Sequence, residues 1–182
     1  MDLFKKIRPS LQLISVIWVV YLIDLLLPIS LRQFGITPRH WKGILGIFFA
    51  PFLHANLFHI IYNTIPLFFL TAFLYIFHPK KANQVLLSSA ILGGVLVWLF
   101  GNLLSRSCGT HVGASGVIFS LITFFIAQGI YKKTLTSLIL AIVTLFLYGG
   151  SLWGVLPIRS HISWEGHFFG ALTGIFLARQ YQ

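Results

Sequence analysis

Carboxylates are almost missing from this chain. Asp2, Asp24 and Glu165 are the only acidic residues among 182. So few acids exclude an aspartic dyad, a two-carboxylate glycosidase site and a carboxylate-rich Mg²⁺ or Ca²⁺ site. Cysteine occurs once, as Cys108, which excludes an internal disulfide and a cysteine-based zinc cluster. Charged residues make up 9% of the chain, against roughly 25% in a soluble domain. That is too little charge to coat a surface facing water. Apolar residues take its place, at 57% of the chain with a mean hydropathy of +0.89. The composition is that of an integral membrane protein. A formal net charge of +10 does not indicate nucleic acid, because the Lys and Arg fall in small groups between apolar runs rather than along one face or tail.

A bilayer core about 30 Å thick needs about 20 apolar residues of helix to cross it. Six runs qualify, at roughly residues 11–27, 56–77, 85–104, 115–130, 135–156 and 163–178, the fourth and sixth being short. Pro28, His78-Pro79-Lys80-Lys81, Tyr131-Lys132-Lys133, Pro157 and Arg179 close five of them. The pattern predicts an all-α, polytopic membrane protein of six transmembrane helices in one domain over residues 1–182. With the N-terminus inside, inner segments hold Lys5, Lys6, Arg8, Lys80, Lys81, Lys132, Lys133 and Arg179. Outer segments hold Arg32, Arg39, Lys42, Arg106 and Arg159. The inner loops are also shorter, so positive charge favours a cytoplasmic N-terminus. The first run lacks a small-x-small exit and reads as a retained anchor rather than a cleaved leader. The long loop over residues 28–53 is itself apolar and aromatic. A structured loop in the outer interface, with Trp41 at headgroup depth, is the reading that fits.

Polar residues inside spans are costly and face the protein interior. Here they fall at the starts of three spans. His54, His59 and Asn63 open the second, and the last two lie four apart on one helix face. Gly113-Ala114-Ser115-Gly116 opens the fourth. Glu165-Gly166-His167, followed by Gly170 and Gly174, opens the sixth. The topology brings all three starts to the same outer leaflet.

Ser115 becomes a nucleophile only if a base takes its proton, and His167 is the natural base. Gly170 and Gly174 are spaced to let two helices approach closely. Glycines beside Ser115 expose main-chain N–H groups at a helix N-terminus, where an oxyanion would be stabilised. His59 and Asn63 could donate to it as well. Glu165 is two residues from His167 and does not share its helix face, so a Ser–His dyad is favoured over a triad. Phe119, one turn below Ser115, is placed to stack on His167.

These residues resemble the rhomboid intramembrane serine proteases. Gly113-Ala114-Ser115-Gly116 looks like the family's Gly-x-Ser-Gly. His167 through Gly170 to Gly174 looks like its His-x-x-Gly-x-x-x-Gly. His54-x4-His59-x3-Asn63 looks like its second-helix signature. The resemblance implies Ser115 as nucleophile and His167 as general base, and an oxyanion site of His59, Asn63 and the Ser115 N–H. It implies a supporting role for His54, a membrane-embedded first loop, and a gating role for the fifth span and its cap (residues 157–163). It also implies a bacterial inner-membrane location, substrates with a transmembrane helix and a small residue before the cut. No cofactor is expected: a metal site of His54, His59 and His167 is imaginable, but no carboxylate is available to orient those rings. Many members carry Tyr where this chain has Phe119, so the ring stack is kept and a hydroxyl is lost. Trp41-Lys42 is a loose echo of the family's Trp-Arg in the first loop.

Blander readings stand beside these. A serine at a helix start is most often an N-cap. Asn102 and Gln128 read as interhelical hydrogen-bond glue, Asp24 as a locally paired carboxylate, and Cys108 as a thiol without a role. His40, His78, His111 and His161 read as loop or membrane-face residues, and Gly93-Gly94 and Gly149-Gly150 as packing or flexibility sites. The rival functions are a catalytically silent binder of transmembrane helices and a histidine-lined transporter. The second would favour internal repeats, and none is visible. Nothing in the sequence specifies an oligomeric state.

Overall fold

The computed structural model of the chain describes residues 2–103, 109–157 and 163–181. Arg106, Cys108, Arg159 and His161, together with the C-terminal end of the expected third span and most of the expected gating cap, lie outside the described residues. The rest is helical. In order come α1 (Leu3–Leu26), α2 (Gly43–Phe49), α3 (Leu57–Phe77), α4 (Ala82–Phe100), α5 (Ser115–Lys132), α6 (Leu135–Tyr148) and α7 (Trp164–Gln180). Among the described residues the only β contact is an isolated antiparallel bridge between Ile36 and His111.

Five helical stretches are long and apolar enough to cross a membrane: α1, α3, α4, α5, and α6 with its 3-10 continuation to Val155. The sixth expected span, α7, has 17 residues, about 25 Å of helix. One of its faces is buried against α5 and α4, and the other presents exposed Phe168, Leu172, Ile175 and Phe176. Such an apolar outer face suits lipid.

Helix α5 forms the centre. Leu121, Ile122, Phe124 and Phe125 are wholly buried in it, and α3, α4, α6 and α7 pack around it. Helix α1 lies outside on α3, where Trp18 Nε1 donates to Thr64 Oγ1 at 3.0 Å. The apolar outer faces of α1 and α6 (Leu22, Leu25 and Leu26; Ile142 and Phe146) remain exposed. In water such a surface would aggregate, and in a bilayer it is the lipid contact.

The closest interface is α5 on α7. A methyl group at Gly170 would overlap the carbonyl of Gly116, and one at Gly174 would overlap the carbonyl of Ser120 and the hydroxyl of Thr123. Backbones this close let polar groups meet across the seam. Thr123 Oγ1 donates to the Ala171 carbonyl at 2.8 Å, and Gln128 Nε2 lies 3.1 Å from the carbonyls of both Ala178 and Tyr181. Gln128 is therefore the interhelical link expected of it. Asn102 lies in the turn after α4 at φ 57°, with its amide donating to the Gly109 carbonyl and its Oδ1 3.0 Å from His111 Nε2.

Helix ends differ from expectation most at two places, and α4 runs from Ala82 to Phe100 rather than over residues 85–104. Helix α1 begins at Leu3 rather than near Leu11, because Asp2 caps it by accepting from the Phe4 N–H and the helix runs through Pro9. The fifth span is not one continuous helix. It becomes a 3-10 helix over Gly149–Val155, where the Gly149-Gly150 pair sits. That change carries the chain from the rim of α6 toward α7.

The first loop is structured, as expected. It contains a 3-10 turn (Leu31–Phe34), α2 and a second 3-10 turn (Ala50–Phe52). Asp24 accepts the Leu31 N–H at 2.5 Å, so it is paired locally. Arg39 donates to the Gly101 carbonyl at 2.6 Å, Trp98 Nε1 donates to the His40 carbonyl, and α2 packs on α4. Trp41 is largely exposed.

The α5–α7 seam yields a test. Gly174→Ala should destabilise the protein by about 1–3 kcal/mol, the usual range for overpacking, seen as a lower unfolding temperature in detergent. Gly109→Ala should leave it unchanged, since no described residue lies within 4 Å of a methyl group there. Equal behaviour of the two variants would contradict the packing described.

Candidate functional site

The starts of α3, α5 and α7 converge. Asn56, His59 and Asn63 from α3, Ser115 and Phe119 from α5, and Ser163 and His167 from α7 line one cavity of about 810 Å³. Tyr148 at the end of α6 and Trp153 and Gly154 of the following 3-10 helix complete its wall. Three short motifs far apart in sequence thus share one chamber.

His167 is buried at the first turns of α7, and its ring is held from two directions. Phe119 stacks on it, with ring centroids 4.1 Å apart and planes within 6°. Its Nδ1 lies 3.0 Å from the Gly154 carbonyl. A carbonyl oxygen only accepts, so Nδ1 carries the proton and Nε2 of the neutral ring carries the lone pair. Gly154 is a contributor that sequence reasoning missed. Its part is played by a main-chain oxygen, which no residue type announces. Its missing side chain also matters, since a methyl there would lie 3.0 Å from His167 Nδ1 and 3.1 Å from the Phe119 ring.

His59 has the opposite tautomer. The Ala55 N–H donates to its Nδ1 at 3.3 Å. A main-chain N–H only donates, so the neutral ring keeps its proton on Nε2. Asn63 is 6% exposed, and its Nδ2 has no hydrogen-bond partner among the described residues. Both nitrogens close over Gly113, where a Cβ would lie 2.6 Å from His59 Nε2 and 3.4 Å from Asn63 Nδ2. Gly113 also has φ +113°, a backbone conformation that suits glycine. Two N–H donors therefore meet two residues ahead of Ser115. An unpaired buried donor costs about 1–3 kcal/mol, so the native chain tolerates a charge-seeking group at this spot.

His54 stands behind His59, with ring centroids 5.1 Å apart at 63°. Its Nδ1 donates to the Phe52 carbonyl at 3.3 Å and its Nε2 is sealed without a partner among the described residues. Burial, and then the neighbouring charge of His59, pushes its pKa down to about 4, so it is neutral at neutral pH. It touches His59 rather than lining the chamber.

Ser115 is the first residue of α5, after Ala114 at the cap position. No side-chain hydrogen bond ties its hydroxyl to a described residue, and it is not acting as an N-cap. Gly116 and Gly170 lie where α5 and α7 nearly touch, and Gly174 one turn further on. They set the separation between the helix that carries Ser115 and the one that carries His167. Glu165 is buried at 4% exposure and interacts electrostatically with His111, which has no place in the chamber wall. As its spacing implies, it does not orient His167.

The Rhomboid domain family matches residues 41–181. An uncharacterized protein of Mycobacterium tuberculosis is 37% identical over 173 residues, covering 92% of this chain and 72% of the relative. An uncharacterized protein of Mycobacterium bovis matches to the same extent. One from Mycobacterium leprae is 37% identical over 172 residues, covering 92% of this chain and 68% of its own length. The family match spans the helices that build the chamber, and the chain belongs to the rhomboid family of multi-pass membrane proteins.

Proposed function

We propose that the protein is an intramembrane serine endopeptidase that cleaves a peptide bond within or beside a transmembrane helix. The observation that carries the reading is the pairing of opposite tautomers across one chamber. His167 offers a lone pair on Nε2, while His59 and Asn63 offer N–H donors above Gly113. Base and oxyanion donors lie on either side of the turn that presents Ser115.

In this mechanism Ser115 Oγ attacks the scissile carbonyl and its proton passes to His167 Nε2. The Ser115 hydroxyl and His167 Nε2 make no mutual hydrogen bond in the free protein, and catalytic bonds of this kind often tighten only around substrate. The Gly154 carbonyl accepts from Nδ1 throughout and supports the imidazolium, in the place an acid fills in a triad. Phe119 fixes the ring plane. The carbonyl oxygen gains negative charge and is held by His59 Nε2–H, Asn63 Nδ2–H and the Ser115 N–H at the positive end of α5. The C–N bond then breaks, and the leaving amine takes the proton from Nε2. Water, activated by the same nitrogen, hydrolyses the acyl-enzyme and frees Ser115.

The chamber wall suggests the way in. Tyr62 and Pro66 of α3 face Tyr148 at the end of α6, and α6 packs on α5 and its own 3-10 continuation. A substrate helix enters between α3 and α6. It must unwind locally, because its backbone groups are otherwise paired with one another. Residues 1–182 act as one domain in this reading. The N-terminus is cytoplasmic in a bacterial inner membrane, the chamber opens toward the other side, and no cofactor is required.

Purified protein should cleave a generic single-span substrate in detergent, with Ser115→Ala and His167→Ala each reducing cleavage by about 10⁴-fold or more. Equal band patterns for all three proteins on a gel would defeat the mechanism. Binding of the substrate helix without cleavage by wild type would instead favour the silent binder.

Asn63→Ala should lower kcat by about 10²-fold, the scale of a lost oxyanion donor, with little change in KM. A kcat within twofold of wild type would remove Asn63 from the oxyanion site.

A further inference from the structure

His111 lies outside the chamber, four residues before Ser115, yet it is among the most tightly held side chains in the protein. Its main chain forms the two-way bridge with Ile36 of the first loop, N to O at 2.9 and 2.8 Å. Its ring joins two further segments. Nε2 lies 3.0 Å from Asn102 Oδ1 after α4, and Nδ1 lies 2.5 Å from Ser163 Oγ. Ser163 is the N-cap of α7 and accepts from the Gly166 N–H, while its carbonyl accepts from the His167 N–H.

The direction of the bonds in this chain is fixed from the Gly109 end. The Gly109 carbonyl accepts, so the Asn102 amide nitrogen faces it and Oδ1 faces His111. Nε2 of His111 must then donate, which leaves Nδ1 of the neutral ring as an acceptor. The Ser163 hydroxyl donates to Nδ1, and its oxygen lone pair takes the Gly166 N–H. No donor meets a donor, and no acceptor meets an acceptor. Burial also holds the His111 pKa below its ordinary value, with the Glu165 carboxylate partly offsetting that effect, which suits a neutral link.

We propose that His111 is a positioning residue for the catalytic histidine: through Ser163 it sets the first turn of α7, and with it the placement of His167 relative to Ser115. The role rests on the protease reading and extends it. It ties the first loop to the general base, since the same residue is bridged to Ile36 on one side and to the α7 cap on the other. His111 itself touches neither substrate nor the reacting atoms. A merely structural histidine would lower stability without selectively lowering kcat.

The test is steady-state cleavage of a single-span substrate by the full chain in detergent, with wild type, His111→Phe, Ser163→Ala, Ser163→Thr and the His111→Phe/Ser163→Ala double variant. His111→Phe and Ser163→Ala should each lower kcat by about 10- to 100-fold, the scale of a small misplacement of a reacting group, with KM within about twofold. Ser163→Thr keeps the hydroxyl and should recover most of that loss. The double variant should be no worse than the poorer single variant, as for residues acting through one linkage. Amide exchange at Gly166 and His167 should quicken in His111→Phe. Unchanged kcat in both single variants, additive losses in the double, or a Ser163→Thr as impaired as Ser163→Ala overturns the proposal while the protease reading stands. If His111→Phe does not fold, the two Ser163 variants decide. A wild type that neither cleaves nor takes a fluorophosphonate on Ser115 defeats the protease reading, and this inference with it.

Discussion

The close approach of α5 and α7 is the constraint on which the rest depends. Gly170 rests on the Gly116 carbonyl and Gly174 on Ser120 and Thr123, with no room for a methyl group at either point. In a bilayer no hydrophobic force drives helices together, so packing and interhelical hydrogen bonds must do it. Thr123 and Gln128 provide such bonds along the same seam. The seam begins one residue after Ser115 and three residues after His167, so the packing that holds the bundle together also fixes the separation of the two helices that carry them. A wider seam would leave a fold of the same topology with a serine and a histidine in separate environments.

Around that seam, chemistry is set by main-chain atoms. The Gly154 carbonyl, the Ala55 N–H and the Gly109 carbonyl each have a fixed sense of donation. Each determines the tautomer of a histidine without a hydrogen bond from an acidic side chain. A protein with three carboxylates has little other means of orienting imidazoles, and inside a membrane an additional buried charge would be expensive. Backbone dipoles do the same work without a net charge. The first loop contributes through the same currency of directed hydrogen bonds, since Ile36 and Ala50 bond to His111 and Gly113. The segment that presents Ser115 is thus laid along the loop before α5 begins.

Much of this was legible in the sequence, and the exceptions have physical reasons. Spans two, four and six were readable at their N-terminal ends to within a residue, because Asn56 and Ser163 are cap residues and Gly113 to Gly116 marks a sharp entry. The stacking of Phe119 on His167 follows from one turn of helix. Helix α1 begins ahead of the apolar run because a charged, proline-containing segment can remain helical when a cap holds it. The break after α6 was hidden because Gly149-Gly150 is compatible with both packing and a change of helix type. Asn102 sits in the turn after α4 rather than in a span, since hydropathy does not distinguish a turn from a helix end. Gly154 and the linkage through His111 were invisible for a deeper reason. They depend on which main-chain atoms face a ring after folding, and that information exists only in three dimensions.

The central claim is that the N–H donors of His59 and Asn63 and the Nε2 lone pair of His167 converge on an acyl group carried by Ser115. The most direct measurement is a crystal structure of the protein inhibited by a fluorophosphonate. The account predicts phosphorus bonded to Ser115 Oγ, one phosphoryl oxygen within about 3 Å of both His59 Nε2 and Asn63 Nδ2, as an oxyanion hole requires, and Nδ1 of His167 still on the Gly154 carbonyl. An adduct whose oxygen points away from those two side chains, or an inhibitor bound at another residue, would contradict it.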